Sequence, residues 1–145
     1  MHPDNVIDVT RLIQLAVAPV FLLTAVGTII GVLSNRLGRV VDRSRALEER
    51  MRQLQPAGQK AARQELDILS RRVRLVYGSI VLAVLCALFV GLLIAVAFVD
   101  AFIDLDLSKF IGLLFIAAML AFILGLMVFL REIFLAVSSA RSQMR

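Results

Sequence analysis

Apolar residues are grouped in three long runs, at residues 12–34, 80–99 and 110–130, and most of the charge lies between them. Each run supplies roughly the 20 predominantly apolar residues that a helix needs to cross a bilayer. None alternates apolar and polar residues with a period of two, and unpaired strands in lipid would leave backbone groups without partners. The pattern predicts an all-α membrane protein with transmembrane helices at 12–34, 78–99 and 110–130.

The connection between the first two runs, residues 35–77, has an apolar pattern of its own. Spacings that alternate between three and four residues define two heptad seams. The seams are Leu37, Val40, Ser44, Leu47, Met51 and Leu54, and then Ala62, Leu66, Leu69, Val73 and Val76. Pro56 and Gly58 predict a turn near residues 56–58. No proline separates either seam from its neighbouring run, so we expect the first two membrane helices to extend into an antiparallel helical hairpin.

The register of this hairpin predicts particular charge pairs. A fold about Ala57 places Arg50 opposite Glu65, which is attractive. It also places Arg43 opposite Arg72, which is repulsive unless an acidic residue or an external anion lies between them. The simplest interpretation of the hairpin is a solvated charged surface. The alternative is an anion site at Arg43 and Arg72.

The charges outside the apolar runs predict an orientation. Residues 1–11 carry a net charge of −1 and residues 100–109 carry −2. Residues 35–77 carry +6, and residues 131–145 carry +2. Lysine and arginine in short loops stay on the cytoplasmic side. The hairpin and the tail 131–145 are therefore predicted to be cytoplasmic, and the segments 1–11 and 100–109 periplasmic. The first segment lacks the positive start of a signal peptide, so we expect the first helix to remain as an anchor.

Composition limits the chemistry of the chain. Of 145 residues 60% are hydrophobic, with one cysteine, Cys86, and one histidine, His2. These residues supply no nucleophile–base pair and no metal-ligand cluster, so we predict no catalytic site, no metal and no cofactor. The apolar cores contain no ionisable residue of the kind that marks proton relays and coupled carriers. The arginines alternate with acidic residues and lack stacking aromatics, which disfavours nucleic-acid binding.

Small residues recur at helical spacing in each run, and such residues let helices approach closely in lipid. The candidate packing or oligomer-interface residues are Gly27, Gly31, Ala83, Ala87, Gly91, Ala121 and Gly125. Three helices of one chain need only some of these faces, so we expect a homo-oligomer. Thr24 and Thr28 share a face of the first helix and are candidate pore-lining residues. Threonines in membrane helices also commonly donate to carbonyls of their own helix.

Arginines are concentrated where the hairpin meets the membrane helices. The candidate contacts for anionic headgroups or other anions are Arg36, Arg39, Arg43, Arg71, Arg72 and Arg74. A basic residue near an anionic membrane surface contributes about 1 kcal/mol of attraction. Arginines that only set the topology would occupy the same positions.

Three segments carry a family resemblance: residues 33–45 (LSNRLGRVVDRSR), Arg71-Arg72 before the second run and Arg131-Glu132 after the third. They resemble a family of small bacterial inner-membrane proteins catalogued as domain of unknown function 2721, and the similarity extends over almost the whole chain. The resemblance implies a bacterial source and three spans with a cytoplasmic basic segment. It implies no activity.

Together these features predict a non-enzymatic, self-associating protein of the bacterial inner membrane, with its N-terminus outside and its C-terminus in the cytoplasm. It would act as a scaffold or interaction subunit through the cytoplasmic hairpin. The expected partners are anionic lipid headgroups, further copies of the chain and a cytoplasmic protein. The alternative function is an oligomeric ion channel in which the first membrane helix lines the pore.

Overall fold

Within the residues that it describes, the computed structural model of this protein consists of three long α-helices. They are α1 (Pro3–Met51), α2 (Pro56–Ile103) and α3 (Ser108–Ser142). The backbone is described for residues 3–103 and 106–142. Side chains are described for residues 10, 13–14, 17–103 and 106–138.

Over the described residues, each of the three helices is long and apolar enough to cross a membrane. The qualifying stretches are Val17–Met51, Pro56–Ile103 and Ser108–Ser138. Only 17–22% of the most apolar window in each stretch is buried inside the chain. Exposed apolar surface of this extent is typical of contact with lipid or with another protein. The predicted all-α chain with three candidate membrane helices is confirmed.

The turn between α1 and α2 lies at residues 52–55, so its predicted position near residues 56–58 was wrong. Pro56 is the first residue of α2. Proline is favoured there because its missing N–H would have no helical partner and its φ angle is already helical. Gly58 lies in the first turn of α2, beside the side chain of Leu54. Both residues therefore begin the second helix and do not form the turn.

The helices also continue beyond the predicted membrane spans, into the predicted loop 100–109 and the predicted tail 131–145. The predicted tail 131–145 is helical as far as Ser142, and α2 continues into the predicted loop 100–109 as far as Ile103. Helix propagation adds one hydrogen bond for each residue fixed, so a helix without a breaker continues past the end of an apolar run. The predicted segments also include residues 1–2, 104–105 and 143–145, which lie outside the described residues.

The first of two compact units combines Met1–Ile30 with Leu82–Ile123. Its buried apolar cluster consists of Val26, Ala83, Cys86, Val90, Ala118 and Ala121. Four of these six residues are alanine or cysteine and the other two are valine, and such small side chains suit close approach of helices. The backbone N–H of Leu107 donates to Asp100 Oδ1 at 3.0 Å and so connects the end of α2 to the start of α3.

The second unit combines Gly31–Val81 with Leu124–Arg145. Its buried apolar residues are Leu33, Val40, Ala62, Leu69 and Val76. They recur every seven residues on α1 and on α2. A seven-residue interval returns to the same face of a helix after two turns, as in closely packed helix pairs.

Arg43 is the residue that pairs with Glu65, with Nη2 2.7 Å from Oε1, so the predicted pairing of Arg50 with Glu65 was wrong. The error follows from the position of the turn. The chain turns at residues 52–55 and not about Ala57. Arg43 and Glu65 lie at similar distances along the chain from this turn, so they come to lie opposite each other. The register is displaced by one heptad from the predicted one.

The residues of the predicted heptad seams still face inward despite this displacement. Their members are buried or half-buried, except for Leu54, which is 42% exposed. A shift of seven residues replaces each seam position by its equivalent in the next heptad, so the same face stays inward. The pattern therefore predicts which residues are inward but not which residues are partners.

Candidate functional site: a buried carboxylate between two arginines

Glu132 is the one charged residue in the described part of the chain that is completely buried, at 0% exposure. It lies on α3 in the second unit. Gly125, which is also buried, precedes it by two helical turns. Glu132 therefore occupies the inward face of its helix, where an apolar side chain would be usual.

Two arginines from the other two helices hold this carboxylate. Arg72 Nε on α2 donates to Glu132 Oε1 at 3.0 Å. Arg36 Nε on α1 lies 2.8 Å from Glu132 Oε2 and forms an ion pair in which the N–H is not aligned as a hydrogen bond. The guanidinium carbon of Arg36 also lies 5.5 Å from the centre of the Phe129 ring, within the range of a cation–π contact. One carboxylate thus connects all three helices of the second unit.

The cluster is electrostatically asymmetric. Burying a carboxylate costs several kcal/mol, and nearby cations offset that cost. The side chains of Arg36 and Arg72 are 27% and 17% exposed, so they keep part of their hydration, whereas Glu132 keeps none. Two cations surround one anion, so the cluster carries a net positive charge.

A groove of about 330 Å³ lies next to this cluster, and we call it the arginine groove. It is lined by Arg36, Arg39, Val40, Arg43, Leu69 and Arg72. Arg43 and Arg72, which were predicted to face each other, therefore line one groove. Each also has a carboxylate partner, Glu65 for Arg43 and Glu132 for Arg72, which reduces their mutual repulsion.

A second groove of about 350 Å³ lies elsewhere on the same unit. It is lined by Arg71, Arg74, Leu75, Arg131 and Leu135. The six arginines that were predicted as anion contacts are thus divided between two grooves, with four in the arginine groove and Arg71 and Arg74 in the second.

The predicted packing and interface residues fall into two groups. Ala83, Ala121 and Gly125 are buried inside the chain, and Ala87 packs against the core of the first unit. Gly27, Gly31 and Gly91 are exposed, and outside their own helix no atom of the described residues lies within 4 Å of where a Cβ would stand. The first group is used for packing within the chain, and the second group is open.

Thr24 and Thr28, the candidate pore-lining residues, are both exposed on α1. Thr24 Oγ1 donates to the carbonyl oxygen of Val20 at 3.2 Å, and Thr28 Oγ1 donates to that of Thr24 at 3.0 Å. Both hydroxyl protons are therefore used by the helix itself, as is common for threonine in membrane helices.

Glu132 and Phe129 were not predicted as site residues. A signal for Glu132 is present in the sequence, because Ala118, Ala121 and Gly125 form a small-residue stripe that reaches Glu132 after two more turns. The charge pattern concealed it, because Glu132 lies beside Arg131 and contributes to a tail with a net positive charge. Among the described residues, no group of three or more His, Cys, Asp or Glu side chains is placed to hold a metal ion.

A protein-family profile described as "Protein of unknown function (DUF2721)" matches residues 16–142. The chain belongs to this family. The matched range contains Arg36, Arg72 and Glu132, and the resemblance predicted from the sequence is confirmed. No curated protein and no solved structure matches the chain.

Proposed function

We propose that this chain is a non-enzymatic, self-associating protein of the bacterial inner membrane that acts as a scaffold or interaction subunit through its basic segment, residues 35–77. The observation that supports this most is the organisation of the second unit. Glu132 fixes one arginine from α1 and one from α2, and the arginine groove lies next to them. A surface whose cations are fixed by packing is suited to binding, because little side-chain ordering is needed when a partner arrives.

The orientation is part of this proposal. The segment 35–77 forms an antiparallel hairpin in the cytoplasm together with the tail 131–145, and the N-terminus and the segment 100–109 face the periplasm. The excess of arginine in residues 35–77 supports this orientation. The hairpin then lies where soluble partners and anionic headgroups of the cytoplasmic leaflet are both accessible.

Cysteine labelling in intact bacterial cells tests the orientation. In a Cys86→Ala background, we expect Ser108→Cys to react with a membrane-impermeant maleimide before the cells are permeabilised. Gln53→Cys, in the turn between α1 and α2, should react only afterwards. Labelling of Gln53→Cys in intact cells would contradict the cytoplasmic placement of the hairpin.

Self-association is supported by the open face of α1. Gly27 and Gly31 are four residues apart, and no side chain among the described residues lies within 4 Å of where their Cβ atoms would stand. In lipid, a Gly-x-x-x-Gly pair lets two helix backbones approach closely and gain dispersion contacts. We therefore propose that this face contacts α1 of a second copy.

Replacing Gly27 and Gly31 by isoleucine should weaken self-association about tenfold, equivalent to ~1.4 kcal/mol, because the added side chains hold the helices apart. Subunit counting by single-molecule photobleaching in lipid bilayers measures the change. Gly112→Ile is the matched control, because Gly112 is equally open but lies on α3, outside the proposed interface. An unchanged subunit number in the double variant, or an equal loss in the control, would place the interface elsewhere.

The alternative function is an oligomeric ion channel with α1 lining the pore. The observation in its favour is that Thr24 and Thr28 lie on the same exposed face as Gly31. We rank it second, because both hydroxyl protons are donated to carbonyls of α1. Ion flux into liposomes that is abolished by Thr24→Val and Thr28→Val would favour the channel over the scaffold.

A further inference from the structure

The arginine groove has more cationic than anionic groups. Four arginines line it, and two carboxylates contact them. The arginines are Arg36, Arg39, Arg43 and Arg72, and the carboxylates are Glu65 and Glu132. Guanidinium groups stay protonated in proteins, so the groove carries an excess of about two positive charges.

The contacts with Glu132 leave donors available in the groove. Arg36 and Arg72 both approach Glu132 through Nε. A guanidinium has five N–H donors, and four of them are on the two terminal nitrogens. The carboxylate therefore fixes the position of both side chains, while their terminal N–H groups remain for a second acceptor.

Arg39 has no carboxylate within ion-pair distance among the described residues. It lies between Arg36 and Arg43 at spacings of three and four residues, so all three share one face of α1. Like charges at these spacings destabilise a helix. An anion bound among them would remove that repulsion.

The size of the groove and its charge both restrict the ligand. Its volume of about 330 Å³ is at the lower end of the range for small-molecule sites, which is roughly 300–1,000 Å³. Arginine binds phosphate oxygens through paired N–H groups. A phosphate monoester carries a charge of about −1.5 to −2 at pH 7, which matches the excess in the groove.

We infer that the arginine groove binds a phosphate group, carried either by the headgroup of an anionic lipid or by a free phosphate compound. Arg39 is the groove arginine that has no carboxylate partner among the described residues. This site specifies a ligand class for the proposed function. Only the cytoplasmic placement of the groove rests on that proposed function. Glu132 would act as a positioning residue that holds Arg36 and Arg72 in place and does not itself contact the phosphate.

The test uses the full chain with Arg39→Gln as the site variant and Arg45→Gln as the matched control. Arg45 is an exposed arginine on the same helix and in the same unit, and it lines neither groove. In one arm, isothermal titration calorimetry measures the binding of inorganic phosphate to protein in phosphatidylcholine nanodiscs at constant ionic strength. In the other, native mass spectrometry compares retention of phosphatidic acid with that of phosphatidylcholine.

We expect Arg39→Gln to weaken binding about tenfold in whichever of the two measurements detects binding to the unmodified protein. The loss is that expected for one hydrogen bond to a charged group. Arg45→Gln should leave binding unchanged. An effect in the calorimetric arm indicates a free phosphate, and an effect confined to the lipid arm indicates a headgroup. If Arg39→Gln and Arg45→Gln lose binding affinity equally, the groove is only part of a general positive surface and the assignment is wrong. An absence of binding in both measurements would also overturn it.

The outcome does not depend on the proposed function. Both arms use purified protein, so neither the orientation in the membrane nor the partner affects them. Subunit counting on Arg39→Gln separates the two proposals. Arg39 lies about two helical turns beyond Gly31 on α1, outside the Gly27–Gly31 face, so its replacement should leave the subunit number unchanged.

Discussion

Replacing Arg36 and Arg72 together by methionine should lower the free energy of unfolding by about 3–5 kcal/mol, because Glu132 would stay buried without a cation. Methionine keeps an unbranched apolar stem, and its sulfur forms favourable contacts with aromatic rings such as Phe129. The expected loss therefore comes from the uncompensated carboxylate and not from missing packing.

Two probes follow unfolding in detergent micelles during titration with sodium dodecyl sulfate. Circular dichroism follows the helices as a whole. A thiol-reactive fluorophore follows Cys86, the one cysteine of the chain, which is completely buried in the first unit. A change in both signals at the same detergent fraction would show that loss of the ion pairs in the second unit unfolds the first unit as well.

The triple variant Arg36→Met, Arg72→Met and Glu132→Met is the matched control. Replacing every member of a buried ion cluster by apolar residues is often neutral or stabilising, because the desolvation cost is removed together with the attraction. We therefore expect the triple variant to be more stable than the double variant, although it has one more substitution. If both are equally unstable, the arginine side chains act through packing, and the electrostatic explanation is wrong.

The number of helices and their approximate ends were predictable because both depend on local properties of the chain. An apolar run of sufficient length needs lipid around it, and a helix continues until a breaker ends it. The turn was not predicted correctly because a proline can either end a helix or begin one. Pro56 begins α2, whereas the sequence pattern placed it in the turn. This single error displaced the predicted register by one heptad, so that Arg50 was paired with Glu65 in place of Arg43.

The candidate site was predictable only in part, and the reason is distance along the chain. Arg36 and Arg72 stand out at the ends of apolar runs, where cations are usual. Glu132 is 60 residues beyond Arg72, and its role depends on which face of α3 is inward. Summing charges over a segment discards that information, whereas the stripe of small residues that leads to Glu132 contains it.

Leu33→Ala should lower the free energy of unfolding by about 2–5 kcal/mol, the range for truncation of a buried leucine that leaves a cavity. Leu33 is 1% exposed and lies on the face of α1 that also carries Arg36, three residues further along the helix. Val32→Ala is the matched control, because Val32 is adjacent in the chain but 55% exposed, and a surface substitution usually changes stability by about 0.5 kcal/mol or less.

The same detergent titration measures both variants. Leu33→Ala should also lower the fraction of sodium dodecyl sulfate at which Cys86 becomes reactive, if the two units unfold together. In lipid, burial of this leucine contributes through dispersion contacts more than through exclusion of water, so the loss should follow the volume removed from the buried face. If Leu33→Ala and Val32→Ala lower the free energy of unfolding equally, packing on this face of α1 does not stabilise the second unit. The stability of the cluster of Arg36, Arg72 and Glu132 would then come from its ion pairs.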